Sequence, residues 1–553
     1  MVTGVKQAMP GVVYPPEWHI EKYTRLGVLG DRGLIEALIE SMEEYADRCA
    51  LITADREYSY RELNEHSTCF AAALMDLGLQ PLDRVVFQVV NSYALVVGLL
   101  ACWKANLIPV CTLAAHRERE IHFLAEHSGA VAHFIGIEDN FDFPGFAAGL
   151  RRAVPTVQHT IVLKGDSDSG FPHMEDLARS VSLENAAARV AAVERDPFQV
   201  CVFQLSGGTT SVPKIIPRFS NEYLYNMERC VVHNEYRDDD VALVPLQLIH
   251  NGSMVAFTFP LMLVGARSVL PASMDPASMV GAMLEHKPTI FGLTAAAVGR
   301  LKEFGLLEAL DLERARLIIS ANAARQIEAV LGKPACHIFG MTEGLVAFGR
   351  RSDPEQARIG TVGQPVSIHD EIKIVKPGTS EELPVGETGE MICRGPYTIF
   401  GYYDAEDRNK EAFTEEGYYR SGDLMAARDI DGEIYYSYEG RIKDVVDRGG
   451  EKINCEEVEH VARTHPAIHD IAIVPMPDPE MGERACAFIV PAADQSVPTV
   501  KELAAFLVSE GLAKYKCPER IESLDEFPLT SANKLDKPAL KRMIAERLSK
   551  DAA

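Results

Sequence analysis

Residues 204–217 read QLSGGTTSVPKIIP, and the six small or hydroxylated residues from Ser206 to Ser211 are closed by Lys214. So little side chain and so many N–H and O–H donors cannot pack a core, but they can wrap an anion closely. Phosphate is the first candidate. The common phosphate loop needs a second glycine directly before its lysine, a Ser or Thr after it, and a helix starting there. Here Pro213 precedes Lys214, Ile215 follows it, and Pro217 opposes a helix beginning at the lysine. The apolar run VCVFQL reads as a buried strand, so the stretch predicts strand, loop, then a second short strand. A surface linker is the usual fate of Gly/Ser/Thr runs. Linkers seldom lie between two apolar strands and end in a lone lysine, which favours phosphate.

At 553 residues and 47% hydrophobic, the chain has room for several layers and more than one domain. A formal charge of −25 argues against nucleic acid or an anionic membrane as a partner over most of the surface, so any anionic ligand must be held by local donors. Eleven cysteines are scattered with no Cys-x-x-Cys pair, which indicates neither a zinc site nor a disulfide framework and fits a reducing cytoplasm. The N-terminus lacks the apolar core of a signal peptide, and the apolar residues 85–105 are broken by Gln88, Asn91 and Lys104, so no membrane segment is expected.

Up to about residue 370, β-branched runs such as RVVFQVV, TIVLKG and RLIIS alternate with alanine-rich amphipathic stretches such as ELNEHSTCFAAALMDLG. That alternation predicts an α/β protein: a large N-terminal domain of doubly wound, largely parallel sheets. From about 371 to 441 short strands and turns predict a β-rich subdomain, and residues 442–553 mix helices and strands as a small mobile α+β unit. EGRIKDVVDRGGEKI lies where the last two meet. Its flanking charges are more specific than a plain linker needs.

Through several separate motifs the chain resembles the adenylate-forming superfamily of acyl- and aryl-CoA synthetases, luciferases and nonribosomal adenylation domains. The resemblance runs from REYSYRELNEHS to PLTSANKLDKPAL, and its motifs occur in the family's order. SGGTTSVPK is similar to the family's phosphate loop, HIFGMTEG to its adenylate-and-metal motif, YYRSGDL to its ribose motif and EGRIKD to its interdomain hinge. HNGS at 250–253 and RGPYTIFGYY at 394–403 are most similar to stand-alone ligases that activate 2,3-dihydroxybenzoate or salicylate.

Joining a carboxylate to AMP brings two anions together and expels pyrophosphate, so the work is alignment and charge stabilisation. The resemblance implies ATP and Mg²⁺ as cofactors and assigns the parts. Ser206, Gly207, Gly208, Thr209, Thr210 and Lys214 hold the departing phosphates. Ser320, Ala321 and Asn322, with Phe339, Gly340 and Met341, border the adenylate; Thr342 reaches the α-phosphate and Glu343 binds the metal. Asp423 and Arg441 take the ribose hydroxyls. Lys534, otherwise only a charge near the chain end, becomes the adenylation lysine, withdrawn when the C-terminal domain turns about Lys443. Gly449, Gly450 and Lys452 then line the route of a pantetheine thiol.

His250 and Asn251 follow the strand VALVPLQLI, where ligands bind at the end of a parallel strand. The resemblance gives His250 a catalytic place and pairs Asn251 with the ortho-hydroxyl of an aromatic acid, with Gly252, Ala256 and Val346 on the pocket wall. Gly252 stands where the dihydroxybenzoate ligases usually have tyrosine, and Ala256 where they have a small polar residue. Both changes favour salicylate, or a 3-substituted or heteroaromatic acid. The expected acceptor is the phosphopantetheine of an aryl carrier protein. An aryl- or acyl-CoA ligase is the nearest alternative, and a non-catalytic aryl-acid or nucleotide sensor is a third, although a sensor has no use for Lys534 or a hinge.

Overall fold

The computed structural model of the chain describes residues 4–138, 141–165, 169–205, 213–244, 247–271, 273, 275–293, 298, 301–320, 323–448, 451–478, 481–510, 512, 514–530 and 534–551. Two compact units emerge, Met1–Glu371 with Cys393–Tyr419, and Ile372–Ile392 with Arg420–Ala553.

The first unit is built on two sheets. In one, the strands run in the order His159–Lys164, Ala132–Gly136, Arg84–Gln88, Ile108–Cys111, Val200–Leu205, Ile215–Phe219. Its first five strands are parallel and its last is antiparallel, with Leu205 opposite Ile215. The expected strand, loop and strand is therefore a hairpin at the edge of a parallel sheet. In the second sheet the strands Ala335–Gly340, Leu317–Ser320, Ile290–Gly292, Val241–Leu243, Arg267–Val269 and Cys49–Ile52 lie side by side and parallel, with antiparallel strands at both ends. Both faces of such strands are covered, which is why they read as continuous apolar runs rather than alternating ones.

Helix Tyr60–Asp76 starts at a capping box, Ser59 accepting from Glu62 N–H and the Glu62 carboxylate accepting from Ser59 N–H. Helix Tyr93–Lys104 is buried from Ala94 to its end. Lys104 therefore does more than interrupt an apolar run. Its ammonium is sunk in the core, donating to the Asn64 carbonyl and Oδ1, Ser67 Oγ and Thr68 Oγ1 at 2.6–2.8 Å.

The second unit carries a four-stranded sheet, Glu371–Val375, Thr388–Arg394, Tyr419–Ile430, Glu433–Arg441, where the sequence predicts a β-rich stretch. Most of that sheet groups with residues 442–553 rather than with the N-terminal core. A further sheet is centred on Ile468–Asp478 and Gly482–Pro491. Its period of two sorts Ile471 and Ile473 to a core with Leu503 and Leu507, and Ala472 and Val474 to a core with Leu540 and Ile544. Among the described residues no helix is long and apolar enough to cross a membrane.

Candidate active site

Ser206, Gly207, Gly208, Thr209, Thr210, Ala321, Asn322, Gly449 and Gly450 lie outside the described residues. What flanks the loop is described. Lys214 lies just before the strand Ile215–Phe219, its Nζ 4.7 Å from the Tyr402 ring centroid. Cation–π contact keeps a lysine extended without neutralising it.

The adenylate motif forms a hairpin. Strands Ala335–Gly340 and Val346–Phe348 pair antiparallel, with Phe339 opposite Ala347 and Gly340 opposite Val346, and Met341–Gly344 make the turn through Met341 N–H to Leu345 O at 2.9 Å. Gly344 has φ +145°, and a Cβ there would stand 2.4 Å from the Tyr397 carbonyl oxygen, so only glycine closes this turn. Ile399 N–H donates to the Glu343 carbonyl at 2.9 Å, fixing the turn to the 394–403 segment. Tyr402 donates to Glu343 Oε1 at 2.7 Å, and Tyr419 lies 3.1 Å from the Tyr402 hydroxyl. A carboxylate so aimed, with one oxygen held by a phenol, suits Mg²⁺, which takes one or two carboxylates and completes its shell with water and phosphate. Ser320 ends its strand buried, its Oγ accepting from Ala323 N–H at 3.1 Å.

At the acid end, His250 caps a three-residue helical turn, its Nδ1 accepting from Gly252 N–H at 3.1 Å. That bond leaves the neutral ring's proton on Nε2. The turn continues as a π-helical segment, Met254–Thr258, a geometry that often marks functional sites. Ala256 is buried in it, its carbonyl accepting from Tyr236 at 2.7 Å, and Val346 is buried in the same core cluster.

Arg218 joins these parts. Fully buried, it pairs with Glu222 at 2.8 and 2.9 Å and donates to the Thr342 carbonyl at 3.0 Å and to Asn251 Oδ1 at 3.5 Å. Tyr223 donates to the same Oδ1 at 2.9 Å. Burial works against both charges of the pair: it pushes the Glu222 carboxyl up, while Glu222 outweighs it at Arg218 and raises the guanidinium. Neither Arg218, Glu222, Tyr223, Tyr402 nor Tyr419 is singled out by the sequence motifs' assigned roles, although Tyr402 and Tyr419 stand inside two of those motifs. A charged residue ending the apolar run KIIPR was the one available signal.

In the second unit, Asp423 is buried, and Arg441 Nε lies 3.0 Å from its Oδ1. Burial opposes the Arg441 charge, and the Asp423 carboxylate outweighs it and raises the guanidinium. Lys534 is an exposed residue, yet desolvation by the protein near its ammonium, and then the Arg441 charge, lower it below the ordinary lysine value. Lys443 lies in the single turn Ile442–Asp444 between strands Glu433–Arg441 and Val445–Arg448, and Lys452 in strand Glu451–Asn454; their side chains lie outside the described residues.

Residues 38–403 match the family described as AMP-binding enzyme, and residues 457–534 match AMP-binding enzyme C-terminal domain. The chain belongs to the AMP-binding enzyme family. This adenylate-forming ligase is 36% identical over 543 residues to 2,3-dihydroxybenzoate-AMP ligase of Bacillus subtilis (strain 168), covering 96% of this chain and 97% of the relative. It is 33% identical to salicylyl-CoA synthase / salicylate adenylyltransferase of a Streptomyces species, covering 97% and 98%. The solved apo structure of MbtA from Mycobacterium smegmatis superimposes with a TM-score of 0.72 at 32% identity, covering 96% of this chain and 98% of that one.

Proposed function

We propose that this adenylate-forming ligase activates a 2-hydroxy aromatic acid and passes the acyl group to the phosphopantetheine thiol of an aryl carrier protein in the cytoplasm. A carboxylate oxygen of the acid attacks the α-phosphorus of ATP and the bond to the β-phosphate oxygen breaks, releasing pyrophosphate. Lys214 and the loop before it hold the departing phosphates, Glu343 would hold Mg²⁺, and Lys534 neutralises charge between the carboxylate and the α-phosphate. Asp423 and Arg441 take the ribose, with Ser320 and the Phe339–Met341 strand end beside the adenine. Mg²⁺ when bound neutralises phosphate charge. The thiol then attacks the acyl carbon and AMP leaves, with Lys443 as the pivot between the two half-reactions and Lys452 on the thiol's route.

The observation that carries this reading is Arg218, one buried cation donating both to the backbone of the adenylate motif at Thr342 and to Asn251. On this reading those two contacts lie towards the aryl and phosphate ends of an acyl-adenylate. The names of the relatives supply the acid class. Because one of them is a CoA synthase, CoA as acceptor is the second reading.

Pyrophosphate exchange over a panel of aromatic acids tests the first half-reaction. Ala256 offers no side-chain partner to a 3-hydroxyl, a loss of about 1–3 kcal/mol for a buried group, so salicylate should exceed 2,3-dihydroxybenzoate, and Ala256→Ser should narrow the gap. Exchange with fatty or amino acids alone would overturn the aryl reading. Incubating adenylated protein with a carrier protein or with CoA decides the acceptor.

A further inference from the structure

Two opposite charges of the site meet at one phenol. Lys214 Nζ stands 4.7 Å from the Tyr402 ring centroid, while the Tyr402 hydroxyl donates to Glu343 Oε1 at 2.7 Å. That hydroxyl has a single hydrogen and Glu343 takes it, so Tyr419, 3.1 Å away, donates to the Tyr402 oxygen in its turn. The backbone around Tyr402 is tied to the same two partners. Tyr403 N–H donates to the carbonyl of Ile215, the residue after Lys214, at 3.0 Å, and Ile399 N–H donates to the Glu343 carbonyl at 2.9 Å. Asn409 clamps Tyr402 itself, its Oδ1 accepting from the Tyr402 N–H at 2.8 Å and its Nδ2 donating to the Tyr402 carbonyl at 3.0 Å. The ring is thus fixed in place, 1% exposed, with Phe413 beside it.

An ammonium and a carboxylate that share one buried side chain would ordinarily pair with each other, because their attraction grows where protein replaces water. Yet Glu343, 8% exposed, is paired with no cation among the described residues. We propose that Tyr402 is a positioning residue that keeps the phosphate-holding lysine and the metal-holding carboxylate from neutralising each other, so that neither has to be pulled off the other when the metal–nucleotide complex arrives. This rests on the roles given to Lys214 and Glu343 above. The ring face attracts the ammonium and leaves its charge intact. The hydroxyl, itself steered by Tyr419, aims the carboxylate and leaves that charge intact as well. A direct lysine–carboxylate pair would instead have to be broken by every incoming nucleotide, which is costly in a buried site.

The test is equilibrium dialysis of labelled ATP in saturating Mg²⁺, without acid and so without turnover. Lys214→Met is made in wild type, in Tyr402→Phe and in Tyr402→Leu. In wild type it should weaken ATP binding by about tenfold or more, as for a lost charged contact. In Tyr402→Leu, where the lysine has moved onto Glu343, the same substitution should cost less than about threefold. Tyr402→Phe keeps the ring beneath the lysine, so there the wild-type cost should return. A ring that only packs its segment would leave that cost equal in all three backgrounds, and this result overturns the proposal. A second measurement needs no change at Tyr402. After reductive ¹³C-methylation of the lysines, the methyl resonance that Lys214→Met deletes should be shifted upfield by the Tyr402 ring in the wild-type protein and should move downfield when Mg·ATP binds. A resonance at the ordinary lysine position before ATP is added overturns the proposal even if Tyr402→Leu fails to fold. If Lys214→Met leaves ATP affinity unchanged in wild type, the phosphate role of Lys214 fails and this inference with it; a full cost in both wild type and Tyr402→Leu removes only the inference.

Discussion

Asp423 and Arg441 are register partners on neighbouring antiparallel strands, with Arg441 Nε 3.0 Å from Asp423 Oδ1. The sheet buries the carboxylate and leaves the guanidinium exposed, so the acceptor is fixed and its cation can swing. The acceptor and the donor expected at one ribose are thus brought together by strand pairing. Asp423→Ala should lower kcat/KM for ATP roughly 10- to 100-fold, as for a lost charged hydrogen bond. KM for the acid should change little, as separate titration of each substrate in pyrophosphate exchange will show.

Lys534→Ala should abolish adenylate formation while sparing transfer from supplied acyl-adenylate. Its pKa sits below that of an ordinary lysine, chiefly through partial desolvation by nearby protein and then through Arg441. The ammonium is the active form, so its charge is lost as pH rises, and the alkaline limb of the adenylation rate should fall earlier than an unperturbed lysine would give. Lys534→Arg, charged throughout, should remove that limb from whatever activity it retains. Equal loss in both half-reactions for the alanine variant would reject the assignment.

Lys443→Pro fixes φ in the turn Ile442–Asp444 and should trap one domain orientation. Single-turnover assays should then find adenylation and thiol transfer unequally impaired, and equal rates would remove the pivot from Lys443.

Tyr402→Phe deletes the donor to Glu343 Oε1. The Mg²⁺ concentration giving half-maximal exchange should rise several-fold, a neutral hydrogen bond contributing about 1 kcal/mol, while the acid preference holds. Direct Mn²⁺ binding in the presence of ATP reads the same change without turnover.

Lys104 is held down to about 7 by burial, with no carboxylate among its hydrogen-bond acceptors. Below that pH both folded and unfolded chains keep the proton, and folding bears the full cost of burying it. As pH rises above it the folded state sheds the proton first, so this contribution to stability grows by about 1.4 kcal/mol for each further pH unit until the ordinary lysine value is reached. Lys104→Met should therefore reduce the gain in Tm between pH 6 and pH 9 relative to wild type. An unchanged difference would mean that Lys104 is charged throughout that range.

Much of this molecule is determined locally. The alternation of β-branched runs with amphipathic stretches specifies parallel sheets, because periodicity decides which face a segment can bury. Ser59 and Glu62 start their helix with partners three residues apart, and the strand Ile468–Asp478 sorts its residues to two cores by alternation alone. The turn in GMTEG declares itself through its glycines, which no packed element would choose.

The Arg218 network is of another kind. Its partners Glu222, Asn226, Asn251, Thr342 and Tyr397 lie up to 179 residues away in the chain, and the Glu343–Tyr402 bond spans 59. Local sequence shows that an arginine ends an apolar strand, but not whether water or protein will solvate it. Glu222, four residues on, supplies the counter-charge, and the arrival of distant carbonyls and amides removes the water and satisfies the remaining donors. Tertiary structure therefore decided which atom of Asn251 is engaged, because hydrogen-bond polarity belongs to the partners and not to the residue.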